Sequence, residues 1–168
     1  MKTKYQQALM FETIIEAPFG GVGVSAQGLQ IDIELMPITL AAKKNGNNKL
    51  VEQVAHQIEA YFCKSNTNFN LPIKLKGTSF QRNVWQAISA IPSGQVLTYG
   101  QIAAQLKSSP RAVANACGAN HLPIVIPCHR VVAKNGLGGF MRGAKNGLEI
   151  KKWLLKHEGA MDINGNLV

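Results

Sequence analysis

A cysteine, a histidine and an arginine stand in a row, Cys128-His129-Arg130, between the apolar runs Ile124-Val125-Ile126 and Val131-Val132. Side by side they suggest nucleophilic chemistry. A thiol with a pKa of roughly 8.5 is only slightly ionised at neutral pH, and a nearby cation or base raises the thiolate fraction. His129 and Arg130 are the candidates for that help. The β-branched residues on both sides predict strand that wants burial, which would carry the triplet into the wall of a packed domain. Pro127 fixes the backbone before the thiol and donates no hydrogen bond, which suits a tight turn presenting Cys128. Adjacent strand residues point to opposite faces, so the spacing does not assure direct contact between Cys128 and His129. Three other readings stay open from the residues alone: a buried inert thiol, a hydrolase cysteine paired with the distant His157, and a metal ligand. The hydrolase lacks a local signature, and the metal lacks a spaced second thiol.

The chain around this triplet has 168 residues, 46% hydrophobic and 16% charged, which allows one globular domain or two small ones. Gln6, Gln7, Glu12 and Glu16 interrupt any signal-peptide core, and no apolar run is long enough to span a bilayer. An intracellular, cytoplasmic protein is expected, nucleoid-associated in a bacterium. The three cysteines, Cys63, Cys117 and Cys128, are odd in number, widely spaced and without a CxxC, so they suggest neither a disulfide framework nor a zinc site. Net charge is +9 and unevenly spread: residues 1–76 hold 8 Lys/Arg against 6 Asp/Glu, residues 77–168 hold 10 against 3. Between Glu59 and Glu149 there is no carboxylate, while ten cations fall there, Arg82, Lys107, Arg111, Arg130 and Arg142 among them. A polyanion would meet no repulsion from that stretch, although a solubility surface would read the same way. The gap also removes carboxylate bases and oxygen-ligand metal sites from it.

The elements that must position the triplet are legible in part. Residues 8–36 predict a small antiparallel unit, with strands at 11–17 and 21–25, a turn at Ala26-Gln27-Gly28, and Ile31, Ile33 and Leu35 alternating with Asp32 and Glu34. Lys49 to Cys63 has helical spacing with Asn47 or Asn48 as N-cap, and Cys63 reads as a core or edge residue of that helix. A short strand with Ile73 and Leu75 is expected next, and a domain boundary near residue 77. Thr78-Ser79-Phe80-Gln81 is a capping box whose helix is expected to end at Pro92-Ser93-Gly94. Thr98-Tyr99-Gly100-Gln101 is a second one, and Ser109-Pro110 starts a third helix running toward Asn120. The last two helices, joined this tightly, read as a helix-turn-helix. Ala112, Ala114, Ala116, Gly118 and Ala119 make the third helix slim, with Arg111 alone at its start. Taken by itself it reads as a helix packed closely in a core, although a slim helix could also approach a minor groove and use the Arg as a wedge. A final helix, Leu148 to His157, stops at Gly159. Glu158 then sits at the negative end of its dipole, unfavourable by up to about 1 kcal/mol unless a tertiary partner compensates. An Arg would be the structural partner, a His the functional one.

Together, GTSFQRNVWQAISAIPSGQVLTYGQIA, RAVANACGANHLPIVIPCHRVV and WLLKHEG closely resemble the O6-alkylguanine-DNA alkyltransferases, direct-reversal DNA repair proteins, over about residues 77–160. The resemblance implies an α/β (α+β) chain. Residues 1–76 would form a small ribonuclease-H-like sheet domain, and residues 77–168 a mainly helical domain for DNA binding and alkyl transfer. It implies an irreversible, single-turnover transfer from O6-alkylguanine in duplex DNA to Cys128, with activity on O4-alkylthymine left open. His129 would be the water-linked base, Glu158 the residue orienting it, Asn120 the group fixing the turn, and Tyr99 the phenol assisting the leaving guanine. Arg111 would replace the extruded base, with Ala112, Ala114, Thr98 and Tyr99 also against DNA in the minor groove. Pro123, Val131, Gly139, Phe140, Met141 and Arg142 would line the substrate pocket. The resemblance thus turns the slim helix into the recognition helix. It implies a monomer without cofactor, metal or membrane partner, whose partner is double-stranded DNA containing alkylated guanine. A DNA-lesion sensor of the alkyltransferase-like kind would lack the acceptor cysteine that this chain has.

The sequence departs from the family after the cysteine, where Ala144-Lys145-Asn146-Gly147 lengthens the loop by about three residues. His121, Cys117 and Asn115 also differ from what is common at their positions, and the resemblance gives them no role. The structural-zinc ligands of some members have no counterpart in the N-terminal part.

Overall fold

The computed structural model describes residues 2–43 and 47–168. It divides into two compact units, Met1–Leu75 and Lys76–Val168. In the first, Thr3 and Gln6 form a reciprocal capping box that starts a short helix α1 (Lys4–Ala8), which the sequence reading did not anticipate. Strands β1 (Thr13–Ala17), β2 (Gly20–Gln27) and β3 (Gln30–Met36) follow as an antiparallel sheet in the order β1-β2-β3. Val22 faces Leu35 and Val24 faces Ile33 across the β2–β3 register. The hairpin turns at Gly28-Leu29, slightly beyond the expected turn, because pairing continues through Ala26 and Gln27. Helix α2 (Lys49–Cys63) has the expected bounds, its N-cap Asn48 accepting from the amides of Leu50 and Val51. Val51, Val54, Ala55, Ile58 and Tyr61 form its buried face, and it packs on β1 and β2. Cys63 is exposed, the edge position of the two readings. The expected strand at Ile73 and Leu75 does not form: the Lys74 amide makes a single ladder-like bond, to the Leu29 carbonyl, and no strand results.

The second unit starts with helix α3 (Ser79–Ser89), opened by the Thr78/Gln81 capping box. It ends before the proline, at Ser89, with Ala90 as C-cap. Strand β4 (Leu97–Thr98) leads into helix α4 (Tyr99–Gln105), again opened by a capping box, from Thr98 and Gln101. Residues 106–109 turn the chain, with Lys107 left-handed at φ 51, into helix α5 (Pro110–Gly118), capped by Ser109. Helix α5 packs against α3 and α4, and the buried Trp85 Nε1 donates to the Ala116 carbonyl at 2.9 Å. Strand β5 (Val131–Val132) pairs in parallel with β4, and helix α6 (Gly147–His157) closes the unit. As expected, α6 stops at Gly159, which takes φ 76 while the Ala160 amide reaches back to the Leu155 carbonyl. The small antiparallel sheet plus helices matches the α/β reading of the sequence. Among the described residues, no helix is long and apolar enough to cross a membrane.

Candidate active site

The segment before Cys128 is not the expected strand. The Asn120 carboxamide oxygen accepts from the Leu122 amide at 2.9 Å, and the Ile126 amide turns back to the Leu122 carbonyl at 2.8 Å. These two bonds loop the chain and force Ile124, buried and β-branched, into the left-handed region at φ 73. Pro127, at φ -81 and ψ 64, then makes an inverse γ-turn closed by the Cys128 amide on the Ile126 carbonyl at 2.8 Å. Cys128–Arg130 is a single 3-10 turn, and strand begins only at Val131. The apolar run is thus spent on burying a turn, with proline in the role expected of it.

This turn separates the three reactive side chains. Asn120 Nδ2 donates to the Ile126 carbonyl at 2.8 Å and to Cys128 Sγ at 3.0 Å, so one carboxamide both shapes the turn and touches the thiol. His129 is fully buried, its Nε2 2.7 Å from Glu158 Oε1. A carboxylate can only accept there, so the proton sits on Nε2 and Nδ1 keeps its lone pair. Nδ1 is buried without a hydrogen-bond partner among the described residues. Burial lowers the His129 pKa against the opposing pull of Glu158, which keeps the ring neutral and Nδ1 a proton acceptor.

Arg130 does not assist the thiol, contrary to the sequence reading. Its Nε and Nη2 donate to the two Glu158 carboxylate oxygens at 2.9 Å each, and its Nη1 donates to the Ile91 carbonyl at 2.6 Å. Glu158 therefore has both of the partners its position at the end of α6 called for. Burial opposes its charge, but the hydrogen bonds from His129 and Arg130 outweigh that and bring its carboxyl down to about 2.

Cys128 is buried, 6% exposed as a residue. The neighbouring Cys117 and its own burial push the Cys128 pKa well up, while Asn120 and Lys151 pull it down. Tyr99, at the start of α4, places its hydroxyl 3.4 Å from the Gly139 carbonyl. Burial and the two nearby thiols push the phenol to about 12, so it remains a proton donor at any ordinary pH. Gly138 takes φ 72 beside it, and a Cβ there would lie 2.8 Å from the Tyr99 ring, so the loop can pass the phenol only with glycine at this position.

Of the remaining residues singled out in the sequence, Pro123 is half-buried, and Val131 and Phe140 are buried. Gly139 and Arg142 are exposed and Met141 is half-buried. Met141 and Arg142 are both left-handed, at φ 52 and 53, and the Arg142 Nε donates to the Gly118 carbonyl at the end of α5 at 2.5 Å. Arg111 and Ala114 are exposed on α5, while Ala112 and Thr98 are half-buried. His121 accepts the Lys76 amide at 3.3 Å and lies edge-on to Trp85.

Lys151 escaped the sequence reading. It is fully buried, and its Nζ donates to the carbonyls of Val131, Leu137 and Gly139 at 2.7, 2.6 and 3.0 Å. One ammonium thus ties the strand after the cysteine to the loop that faces Tyr99. Burial lowers its pKa to about 8, with the two thiols acting in the opposite direction. Spacing carried the signal: position 151 shares the buried helix face with Gly147, Leu154 and Leu155, so a lysine there must bury its head group. Lys151→Ala is expected to lower stability by about 2–3 kcal/mol, because three carbonyls lose their donor and relief of the buried charge offsets only part of that. Urea denaturation would check this, and an unchanged midpoint would show that the carbonyls find other partners.

A protein built this way pairs a helix-turn-helix with a buried cysteine set in a polar network. Residues 79–160 match the family model described as "6-O-methylguanine DNA methyltransferase, DNA binding domain". A mimivirus protein named "Probable methylated-DNA--protein-cysteine methyltransferase" is 42% identical over 148 residues, covering 86% of this chain and 94% of that one. The Salmonella typhimurium methylated-DNA--protein-cysteine methyltransferase is 55% identical over 85 residues, 49% of this chain and 48% of its own length. Among solved structures, Mycobacterium tuberculosis OGT in complex with DNA superposes with a TM-score of 0.72 at 31% identity, covering 87% of this chain and 91% of that one. The chain belongs to the methylated-DNA--protein-cysteine methyltransferase family.

Proposed function

We propose that this chain repairs DNA by moving an alkyl group from O6 of guanine to the sulfur of Cys128, once per molecule. The observation that carries this reading is the 3.0 Å contact from Asn120 Nδ2 to Cys128 Sγ, a donor set against the atom that must become a thiolate. His129 Nδ1, with its proton-free lone pair, takes the thiol proton through a bridging water, and Glu158 stabilises the imidazolium as it forms. The sulfur attacks the alkyl carbon in line, the S–C bond forms as the C–O6 bond breaks, and the electron pair leaves on the guanine. Tyr99, a phenol that keeps its proton, donates to that guanine as charge develops on it. The product is a thioether without an easy leaving group, and nothing in the network restores the thiol. Pro123, Val131, Gly139, Phe140, Met141 and Arg142 form the surroundings of the alkylated base in this reading.

The reacting atom is hidden in a duplex, so the nucleotide must be flipped out at a cost of about a few kcal/mol. Helix α5 serves this from the minor groove: Ala112 and Ala114 give it a slim face, and the exposed Arg111 fills the gap left by the base. Thr98 and Tyr99 contact the adjacent backbone. Residues 77–168 carry both binding and transfer, with residues 1–76 as a ribonuclease-H-like domain, and the protein works as a monomer. Binding weakens with salt by roughly 0.9 log units per log salt for each phosphate neutralised. Arg111→Ala is expected to slow transfer from duplex DNA by about tenfold and to leave transfer from a free alkylguanine base unchanged. Equal slowing on both substrates would remove Arg111 from the flipping step.

The test of the function is the mass of the intact protein and of its peptides after incubation with duplex DNA containing O6-methylguanine, beside Cys128→Ser. The expected result is a plateau at one methyl group, all of it on the Cys128 peptide and none in the variant. Sustained turnover, or methyl on another residue, would overturn the reading.

A further inference from the structure

Helix α5 carries a second polar side chain that the transfer reaction does not use. Its outward face is set by burial: Val113 and Ala116 are buried, while Arg111, Ala114 and Asn115 are exposed and Gly118 is half-buried. At 3.6 residues per turn those last four fall within one arc of about 100°, with Val113 and Ala116 on the opposite side. On this face only Arg111 and Asn115 have side chains longer than a methyl group, and they stand one turn apart. Among the described residues the Asn115 carboxamide has no hydrogen-bond partner; only its backbone carbonyl is engaged, by the Ala119 amide at 3.1 Å. Asparagine is also a poorer helix former than the alanines around it, so the helix itself gives no reason for it.

The far end of the face is suited to a polyanion as well. The carbonyl end of a helix is its negative pole, yet here the Gly118 carbonyl accepts from Arg142 Nε at 2.5 Å, and a Cβ on Gly118 would lie 3.4 Å from Arg142 Cγ. Cations therefore stand at both ends of the face, and no carboxylate occurs between Glu59 and Glu149. Asn115 is the uncharged polar group between them.

We infer that Asn115 reads the minor-groove edge of a base pair beside the flipped guanine and gives the protein a preference for G·C over A·T at that pair. This rests on the reading that α5 enters the minor groove. A carboxamide pressed against the groove floor loses its water and must find partners for both Nδ2 and Oδ1 on the base edge. A·T and G·C pairs both present acceptors to Nδ2, but only G·C adds a donor for Oδ1, the guanine 2-amino group. Against A·T the oxygen is left buried and unpaired. Along the axis Asn115 lies four residues, about 6 Å, beyond Arg111, which is nearly two base steps of about 3.4 Å. It thus faces a pair one or two steps from the gap that Arg111 fills.

The experiment varies that amino group alone, using the full chain. Duplexes carry O6-methylguanine at the centre and, at one position at a time within two steps on either side, a G·C, inosine·C, A·T or 2,6-diaminopurine·T pair. Inosine removes the 2-amino group from the first, and diaminopurine adds one to the third. At one of these positions the second-order rate of methyl transfer is expected to fall by about fivefold to tenfold with inosine and to rise by a similar factor with diaminopurine. In Asn115→Ala both changes are expected to shrink to less than about twofold. The substituted pairs alter duplex stability equally for both proteins, so the comparison isolates the carboxamide. Asn115→Ala replaces an exposed residue by a better helix former, so its folding is not at risk. Equal ratios in the two proteins at every position would overturn the inference, as would a wild type indifferent to the amino group throughout. The same ratios are read without transfer in the equilibrium binding of the Cys128→Ser protein to these duplexes. Binding that follows the amino group while wild type transfers nothing would overturn the transfer reading and support this one, so the two fail separately.

Discussion

Glu158→Ala is expected to destabilise the second unit by about 3–5 kcal/mol, a large share of what holds a small domain together. The side chain is wholly buried and carries three charge-assisted bonds: Nε and Nη2 of Arg130 at 2.9 Å each, and Nε2 of His129 at 2.7 Å. Removing it leaves a guanidinium only 11% exposed without its counter-charge. That is the expensive way to break a buried pair, since the remaining ion keeps its desolvation penalty. Glu158→Gln keeps the shape and loses the charge, and is expected to recover less than half of the loss. The pH dependence has a definite sign. A carboxyl whose folded pKa, about 2, lies below its ordinary 4.5 contributes stability that is complete above about pH 4.5 and disappears as pH falls through 2. The shift corresponds to about 3 kcal/mol. His129 acts in the same direction over a higher window: held neutral by burial, it opposes folding progressively as pH falls below its ordinary 6.5. Wild type is therefore expected to lose stability from about pH 6.5 downward, and Glu158→Gln to lack the acidic part of that loss. Urea midpoints at several pH values check both statements. A Glu158→Gln protein as stable as wild type at pH 7 and equally sensitive to acid would show that the network does not hold the fold.

Much of this unit could be read before any coordinates, for a physical reason that also marks the limit. Helix starts are local events: Thr78 with Gln81, Thr98 with Gln101, and Ser109 before Pro110 satisfy the first free amides within one turn, so four residues suffice to recognise them. The end of α6 is equally local, and Glu158 announced its need for partners by its position alone. What could not be read depends on bonds between distant residues. Ile124-Val125-Ile126 has the composition of a strand, and only Asn120, through its bonds to the Leu122 amide and the Ile126 carbonyl, makes it a turn. The pairing of β4 with β5 spans two residues on each side, too short for any periodicity. Arg130 looked like an activator of the thiol because it is two residues away in sequence. In space it faces Glu158 and the Ile91 carbonyl, and the residue that touches the sulfur is eight positions upstream. Residue types and spacing named the members of the network, but the links of Glu158 to His129 and of Asn120 to the turn came only with the family resemblance, and the place of Arg130 came with neither.

That wiring makes Asn120 the most informative residue to change for the chemistry. Asn120→Asp is nearly isosteric and keeps an oxygen for the Leu122 amide, so the turn retains one of its bonds. At the other end it replaces a donor 3.0 Å from the sulfur by a second carboxylate oxygen. The thiolate loses a hydrogen bond worth about 1.5–3 kcal/mol and gains a like charge in a buried site. Both effects add to the upward push that Cys117 and burial already exert on Cys128. A rise of about 2–3 pKa units lowers the thiolate fraction at pH 7 by a hundredfold to a thousandfold, and roughly half of that exponent returns as greater intrinsic nucleophilicity. The lost bond to the Ile126 carbonyl also loosens the turn that aims the sulfur, so single-turnover transfer at pH 7 is expected to fall by about a hundredfold. Asn120→Ala, which removes the donor without adding charge, is expected to fall less. The two are separated by the pH–rate profile. In Asn120→Asp the rate should keep rising with pH well beyond the point where wild type levels off, because its thiol ionises later. If both variants slow equally and level off at the wild-type pH, Asn120 shapes the turn but does not stabilise the thiolate.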